Sequence, residues 1–164
     1  MTEYTTKNTV GRLAEGSAEK SIATAGVALL QNAYECFEQG HTKECISLCQ
    51  QALDMLAPNA FTHNLLGVAY GKIGQHAQAL AHLKQAHEIA PDNKDNNSAL
   101  GLAYSALRDH KRAVQHASRA CEIDVDCMVS LCNLMHVYIE NKEFAKVIDL
   151  AESCESKTID RGVL

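Results

Sequence analysis

The sequence predicts an all-α fold made of antiparallel helical hairpins stacked in a row, and three observations carry that expectation. A 34-residue period runs through most of the chain. Inside each period the apolar residues fall at the three-and-four spacing of a helix face. Only two prolines, Pro58 and Pro91, interrupt 164 residues, which leaves room for long helices.

The period is read from five ladders. Tyr70, Tyr104 and Tyr138 lie 34 residues apart, as do Ala52, Ala86, Ala120 and Cys154. Cys45, Ala79, Ala113 and Val147 make a third ladder, and Asn32, Leu66, Leu100 and Leu134 a fourth. The fifth is Gly67 and Gly101, extended by Ala33 upstream and Met135 downstream. A fixed period shared in phase defines repeated units, here 26–59, 60–93, 94–127 and an incomplete 128–157.

Each unit holds two helices, most clearly the second. Leu66, Ala69, Tyr70 and Ile73 line one face of a first helix that starts near Ala60, and Gly74 stops it. A second helix begins near His76 and carries Ala79, Leu80, Leu83, Ala86 and Ile89. Pro91 breaks it, and Asp92-Asn93 offer a turn and a cap. Gly67 and Ala79 stand where the two helices cross, and a larger side chain there would push them apart.

These residues resemble the tetratricopeptide repeat consensus. In unit two, Leu66-Gly67, Tyr70, Gly74, Ala79, Leu83, Ala86 and Pro91 all fall at family positions; in unit three, Leu100-Gly101, Tyr104, Ala113 and Ala120 do, with Val125 at the usual proline. Units one and four depart more, with Cys36 for the tyrosine in one, and Met135, Val147 and Cys154 at small-residue positions in the other. Terminal repeats are commonly atypical. The resemblance implies a right-handed α-solenoid, the tetratricopeptide superhelix, and a protein-binding role.

Totals exclude several classes. A net charge of −5 with scattered basic residues points to neither nucleic acid nor an anionic membrane as partner. No apolar run approaches the roughly 18 residues that span a bilayer, and residues 1–16 lack the order of a secretory signal. Seven cysteines without a close-set framework suit reduced thiols, so a cytoplasmic location is expected.

Candidate chemistry reads as packing. Cys45 occupies the small-residue rung and Cys49 the rung of Leu83 and Ala117; Cys121, Cys127, Cys132 and Cys154 cluster without zinc-site spacing. His76 and His110 align with Phe144, and His63 takes the family's tryptophan position; His82 and His116 share a rung. No nucleophile elbow, phosphate loop or paired acids accompany them. No catalytic, metal or cofactor residue is assigned, and the chain is expected not to be an enzyme.

The resemblance implies that the first helix of each hairpin lines a concave face. Candidate groove residues are Val27, Leu30, Tyr34 and Phe37; then Phe61, Asn64, Val68 and Lys72; then Ser98, Leu102 and Ser105; and finally Val129, Cys132, His136 and Ile139. An apolar N-terminal end with small polar residues in the middle suits a peptide or an amphipathic helix. The residues leave a second reading open, in which Leu30, Tyr34 and Phe37 pack beneath the N-terminal segment. The family's clamp for acidic chaperone tails would fall on Leu30, Tyr34, Leu65, Asp95 and Ala99, or one repeat on, Asn64, Val68, Ala99, Val129 and Asn133. Neither set supplies the cations a carboxylate needs, so such a tail is not expected to bind.

At the ends, residues 1–16 read as loose, with a helix capped near Ser17 running into unit one, and residues 158–164 as a polar tail. No solvating helix follows the last repeat, so Phe144 and Ile148 are left facing outward. That predicts a second copy, a partner, or further chain against them. The functional expectation is an adaptor or chaperone-like module binding a peptide or helix. Its alternatives are the non-catalytic domain of a larger enzyme, such as a glycosyl- or sulfotransferase, and a self-associating scaffold.

Overall fold

The computed structural model describes the backbone of residues 3–160 and the side chains of residues 20–153. Eight helices and no strand occur among the described residues: α1 Glu3–Glu38, α2 Thr42–Met55, α3 Ala60–Lys72, α4 His76–Ile89, α5 Lys94–Ala106, α6 His110–Ile123, α7 Met128–Glu140 and α8 Phe144–Asp160. The starts of α3, α5 and α7 repeat every 34 residues, as do those of α2, α4, α6 and α8. α1 is helical from Glu3, ahead of the start read at Ser17; no proline precedes Pro58, so nothing forces a break. Residues 161–164 of the expected tail lie outside the described part.

One turn closes all four hairpins. Its left-handed residue is Gly40 (φ 82°), Gly74 (φ 78°), Arg108 (φ 63°) and Lys142 (φ 60°) in turn. The residue after each donates its N–H to the carbonyl of Cys36, Tyr70, Tyr104 or Tyr138, at 2.8–3.0 Å. The left-handed residues themselves donate to Phe37, Gly71, Ser105 and Ile139. This pair of bonds satisfies the last carbonyls of the helix and reverses the chain into the next. The repeat is therefore a repeat of turn geometry as well as of sequence.

Within a hairpin the helices meet on small residues. Cys45, Ala79 and Ala113 are fully buried on the rung expected for them. A Cβ on Gly67 would overlap Leu83 and lie 3.2 Å from the carbonyl of Ala79; one on Gly101 would lie 2.9 Å from the Ala117 Cβ. Leu66, Leu83 and Leu100, all buried, fill the space between, and each contributes about 1.5–3 kcal/mol by leaving water. Ile89 departs from the expected apolar face of α4. It is about half exposed, because it sits in the last turn of α4, just before the chain leaves for Pro91.

A second ladder of buried residues is polar. Thr62, Asn96 and Ser130, again 34 apart, are all buried in the first turn of α3, α5 and α7. The caps explain their place. Asn59 accepts from the Thr62 N–H and Asn93 from the Asn96 N–H, both at 2.9 Å, which satisfies helix-start donors. Asn96 then donates its own amide to the Ala86 carbonyl at 3.1 Å, joining α5 to the end of α4.

Stacking sets the curvature. Neighbouring odd-numbered helices touch directly, α1 with α3, α3 with α5, and α5 with α7, while no two even-numbered helices touch among the described residues. A layer in continuous contact beside a layer that is splayed apart bends the stack toward the first. The odd-numbered helices thus form the inner, concave wall, as expected from the sequence.

Candidate functional site

The inner wall carries two hollows. The larger, about 590 Å³, draws its sides from three successive repeats: Val68 and Lys72 of α3, Leu102 and Ser105 of α5, and His136 and Glu140 of α7. Its floor is Leu83 and Ala79 of α4, reached through the space left by Gly67. The smaller, about 420 Å³, lies at the N-terminal end between Val27, Leu30 and Tyr34 of α1 and Phe61 of α3. Tyr34 and Phe61 face each other there with ring centroids 6.2 Å apart. Phe37 lines neither hollow; the Lys72 ammonium sits 3.6 Å above its ring.

The expected groove residues are therefore divided. Leu30, Tyr34 and Phe61 meet in the smaller hollow, and Val68, Lys72, Leu102 and His136 in the larger. Tyr34 stays about half exposed, and the segment ahead of it continues α1 instead of folding back over it. Ser98 is a correction to the open groove. It is buried, and its hydroxyl accepts from the Asn133 amide at 2.7 Å, so it ties α5 to α7. Cys132 and Ile139 are exposed on α7 but line neither hollow.

Two polar atoms of the inner wall are unusual. Asn64 Nδ2 and Ser105 Oγ are buried and have no hydrogen-bond partner among the described residues. Ser105, a residue only 4% exposed, borders the larger hollow. An unmet buried donor or acceptor costs about 1–3 kcal/mol, and an incoming backbone amide would satisfy either. The charge here is small: Lys72 is engaged with Phe37, and Glu140 stands on the opposite wall.

His63, His82, His116, Cys45 and Cys49 are placed for packing. His82 and His116, half-buried on α4 and α6, lie flat on Tyr70 and Tyr104 of their own hairpins. His63 is buried with its Nδ1 3.2 Å from the Nδ1 of His82, an arrangement that needs one ring to donate and the other to accept. Cys45 and Cys49 are buried free thiols whose pKa burial pushes up. One set of potential metal ligands comes together among the described residues, Cys36, His41 and Glu44. The Cys36 thiol is raised by desolvation and by the carboxylates of Glu44 and Glu35, the reverse of what a nucleophile needs.

Comparison with known proteins agrees with this architecture. Two family models described as Tetratricopeptide repeat match residues 60–93 and residues 96–127. Among curated proteins none matches. Among solved structures, MamA superposes with a TM-score of 0.73 at 17% identity, covering 100% of this chain and 99% of its own. The first tetratricopeptide domain of Spaghetti (RPAP3), bound to the HSP90 peptide SRMEEVD, gives 0.67 at 19% identity, over 75% of this chain and 95% of that one. An O-GlcNAc transferase of Thermobaculum terrenum gives 0.69 at 23% identity, over 71% of this chain but 22% of the transferase. With its 34-residue period, four like turns and eight helices, the chain is a tetratricopeptide repeat protein of about four repeats.

Proposed function

We propose that the chain is a non-catalytic protein-interaction module that takes an apolar peptide or helix of a partner across α3, α5 and α7. The observation that carries this reading is the 590 Å³ hollow walled by three repeats, lined by Leu102 of α5 and by Ser105 with its unmet hydroxyl. Apolar anchors would fill the space over Leu83, and a backbone amide of the ligand would meet Ser105. Cytoplasmic location is part of the same proposal. No helix among the described residues is long and apolar enough to cross a membrane.

The RPAP3 domain in the comparison holds a peptide ending in two acids, valine and aspartate. We do not extend that ligand to this chain. Lys72, the sole lysine or arginine of the larger hollow, is turned onto Phe37, and Glu140 would repel a terminal carboxylate. Panning a random peptide library on the wild-type chain and on Leu102→Glu tests the reading. Peptides with spaced apolar residues that bind the wild type and are lost on the variant support it. Acid-ended sequences, or peptides held equally by both chains, contradict it.

A second reading has its own observation. Phe144 and Ile148 on α8 are both more than half exposed, leaving an apolar face beyond the last hairpin. Self-association through that face, or docking onto further chain, follows from it. Light scattering of wild type against Phe144→Glu and Ile148→Glu separates the cases: a dimer that the variants dissolve supports self-association, and a concentrated monomer refutes it.

A further inference from the structure

The turn that closes each hairpin places three side chains side by side. In the two-bond turn that ends a helix, the third-last helical residue and the residue after the left-handed position are brought into contact. Here that second residue is also the N-cap of the next helix, and the residue three further on lies one turn above it. In unit one these positions are Cys36, His41 and Glu44. The bond from the His41 N–H to the Cys36 carbonyl, 2.8 Å, and that from Gly40 to Phe37, 3.1 Å, hold the corner.

The other units show what this corner is for elsewhere. In unit three it is Tyr104, Asp109 and Arg112: the guanidinium bonds the carboxylate at 2.8 Å and lies 5.6 Å from the ring centroid. In unit four it is Tyr138, Glu143 and Lys146, with the ammonium paired to Glu143 and 5.3 Å from the ring. Both corners hold a cation that the protein itself supplies. Unit two has Tyr70, Gln75 and Gln78, without charge. Unit one has an acid but no lysine or arginine in these slots, and its ring is replaced by a thiol.

We infer that the α1–α2 corner binds a divalent cation of the zinc class through Cys36 Sγ, a ring nitrogen of His41 and the Glu44 carboxylate. The three ligand atoms already lie within 4.8 Å of one another. A tetrahedral zinc site with bonds of about 2.0–2.3 Å needs its ligands about 3.5 Å apart. The remaining ångström is within reach of side-chain rotation, because His41 and Glu44 are exposed while the backbone fixes Cys36. A mixed sulfur, nitrogen and oxygen set favours zinc or cobalt over magnesium or calcium, which prefer oxygen alone. On binding, the thiol proton leaves to solvent and no electron moves. Three protein ligands leave a fourth position for water or a partner's side chain. The site is separate from the inner hollows and does not depend on the peptide-binding proposal.

Cobalt substitution of the full chain tests this. Titration with Co²⁺ should give one equivalent per chain and a thiolate-to-cobalt charge-transfer absorption. Cys36→Ser should abolish that absorption. Glu44→Gln, an exposed change that leaves the fold intact, should keep it and weaken Zn²⁺ binding by about 10-fold or more. Cys132→Ser, at an exposed thiol outside the set, should change neither. Absence of the absorption in the wild type, its persistence in Cys36→Ser, or unaltered affinity in Glu44→Gln would each overturn the proposal.

Discussion

His82 lies flat against Tyr70, with ring centroids 5.5 Å apart and planes within 2°, and 34 residues on His116 repeats this against Tyr104 at 5.5 Å and 9°. Each imidazole bridges the two helices of its hairpin. His82 also meets the buried His63, while His116 Nδ1 lies 3.1 Å from the side-chain Oδ1 of Asn97, with His87 at its edge. Asn97 is oriented for this by donating to the carbonyls of Pro91 and Asn93 at 2.8 and 2.9 Å.

Burial holds His63, His82 and His116 below their ordinary value of 6.5, with the neighbouring His63 adding to it at His82, and His87 and Arg112 at His116. The fold keeps these rings neutral, so the unfolded chain takes protons first. Their contribution to stability is full above about pH 6.5 and is lost as the pH falls through the folded-state values. The melting temperature should be level from about pH 8 to 7 and drop between about 6.5 and 5. In the double variant His82→Phe/His116→Phe the drop should shrink to less than half. Calorimetry across that range decides it.

Gly67 has no room for a side chain. Gly67→Val should destabilise by about 1–3 kcal/mol, the usual cost of overpacking, because its Cβ would meet Leu83. Leu83→Ala alone should cost about 2–5 kcal/mol. The double variant should be less destabilised than the sum, a coupling that denaturant melts of the four chains would measure. Strict additivity would show that the contact is absent.

The hairpin turns offer a stabilising change. Arg108 and Lys142 hold the left-handed conformation that Gly40 and Gly74 hold without a Cβ. Arg108→Gly should therefore raise stability by up to about 1 kcal/mol. The ion pair it gives up, Arg108 to Glu140 at 3.8 Å with the arginine side chain 72% exposed, is worth little. A lower melting temperature would mean that the pair outweighs the backbone strain.

The thiols should separate by reactivity. Cys127 stands at the N-cap position of α7, where the nearby Ser130 hydroxyl and backbone N–H favour its thiolate and lower its pKa. Cys45 and Cys49 are buried and shifted the other way. At neutral pH, iodoacetamide should modify Cys127 at least about 10-fold faster than either. Peptide mapping over time reads this directly, and equal rates would contradict it.

Much of the fold was legible because the period is written in residues that also pack. Tyr70, Tyr104, the rung of Cys45, Ala79 and Ala113, and Gly67 each repeat and each are buried, so counting found them. The ladder of Thr62, Asn96 and Ser130 repeats as faithfully, yet its polar residues read as surface; the Asn59 and Asn93 caps that let them be buried act through space. Ser98 was misplaced for a like reason: its partner Asn133 lies on the next repeat. The groove was legible as a face but not as two hollows, since Phe37 and Lys72 divide it through a contact between α1 and α3. Cys36, His41 and Glu44 are not legible as a set, because Cys36 stands on the tyrosine rung and the three side chains meet only through the hairpin turn.

The inner face is the centre of the account, and calorimetry with the tightest peptide selected on the wild type tests it most directly. Leu102→Glu puts a charge in the wall of the larger hollow, and Ala81→Glu puts the same charge at an exposed position on α4, outside it. Burying an unpaired carboxylate under the ligand should weaken binding by about 30-fold or more in Leu102→Glu, with Ala81→Glu unchanged. Equal affinity for the two variants, or a loss confined to Ala81→Glu, would place the binding surface elsewhere.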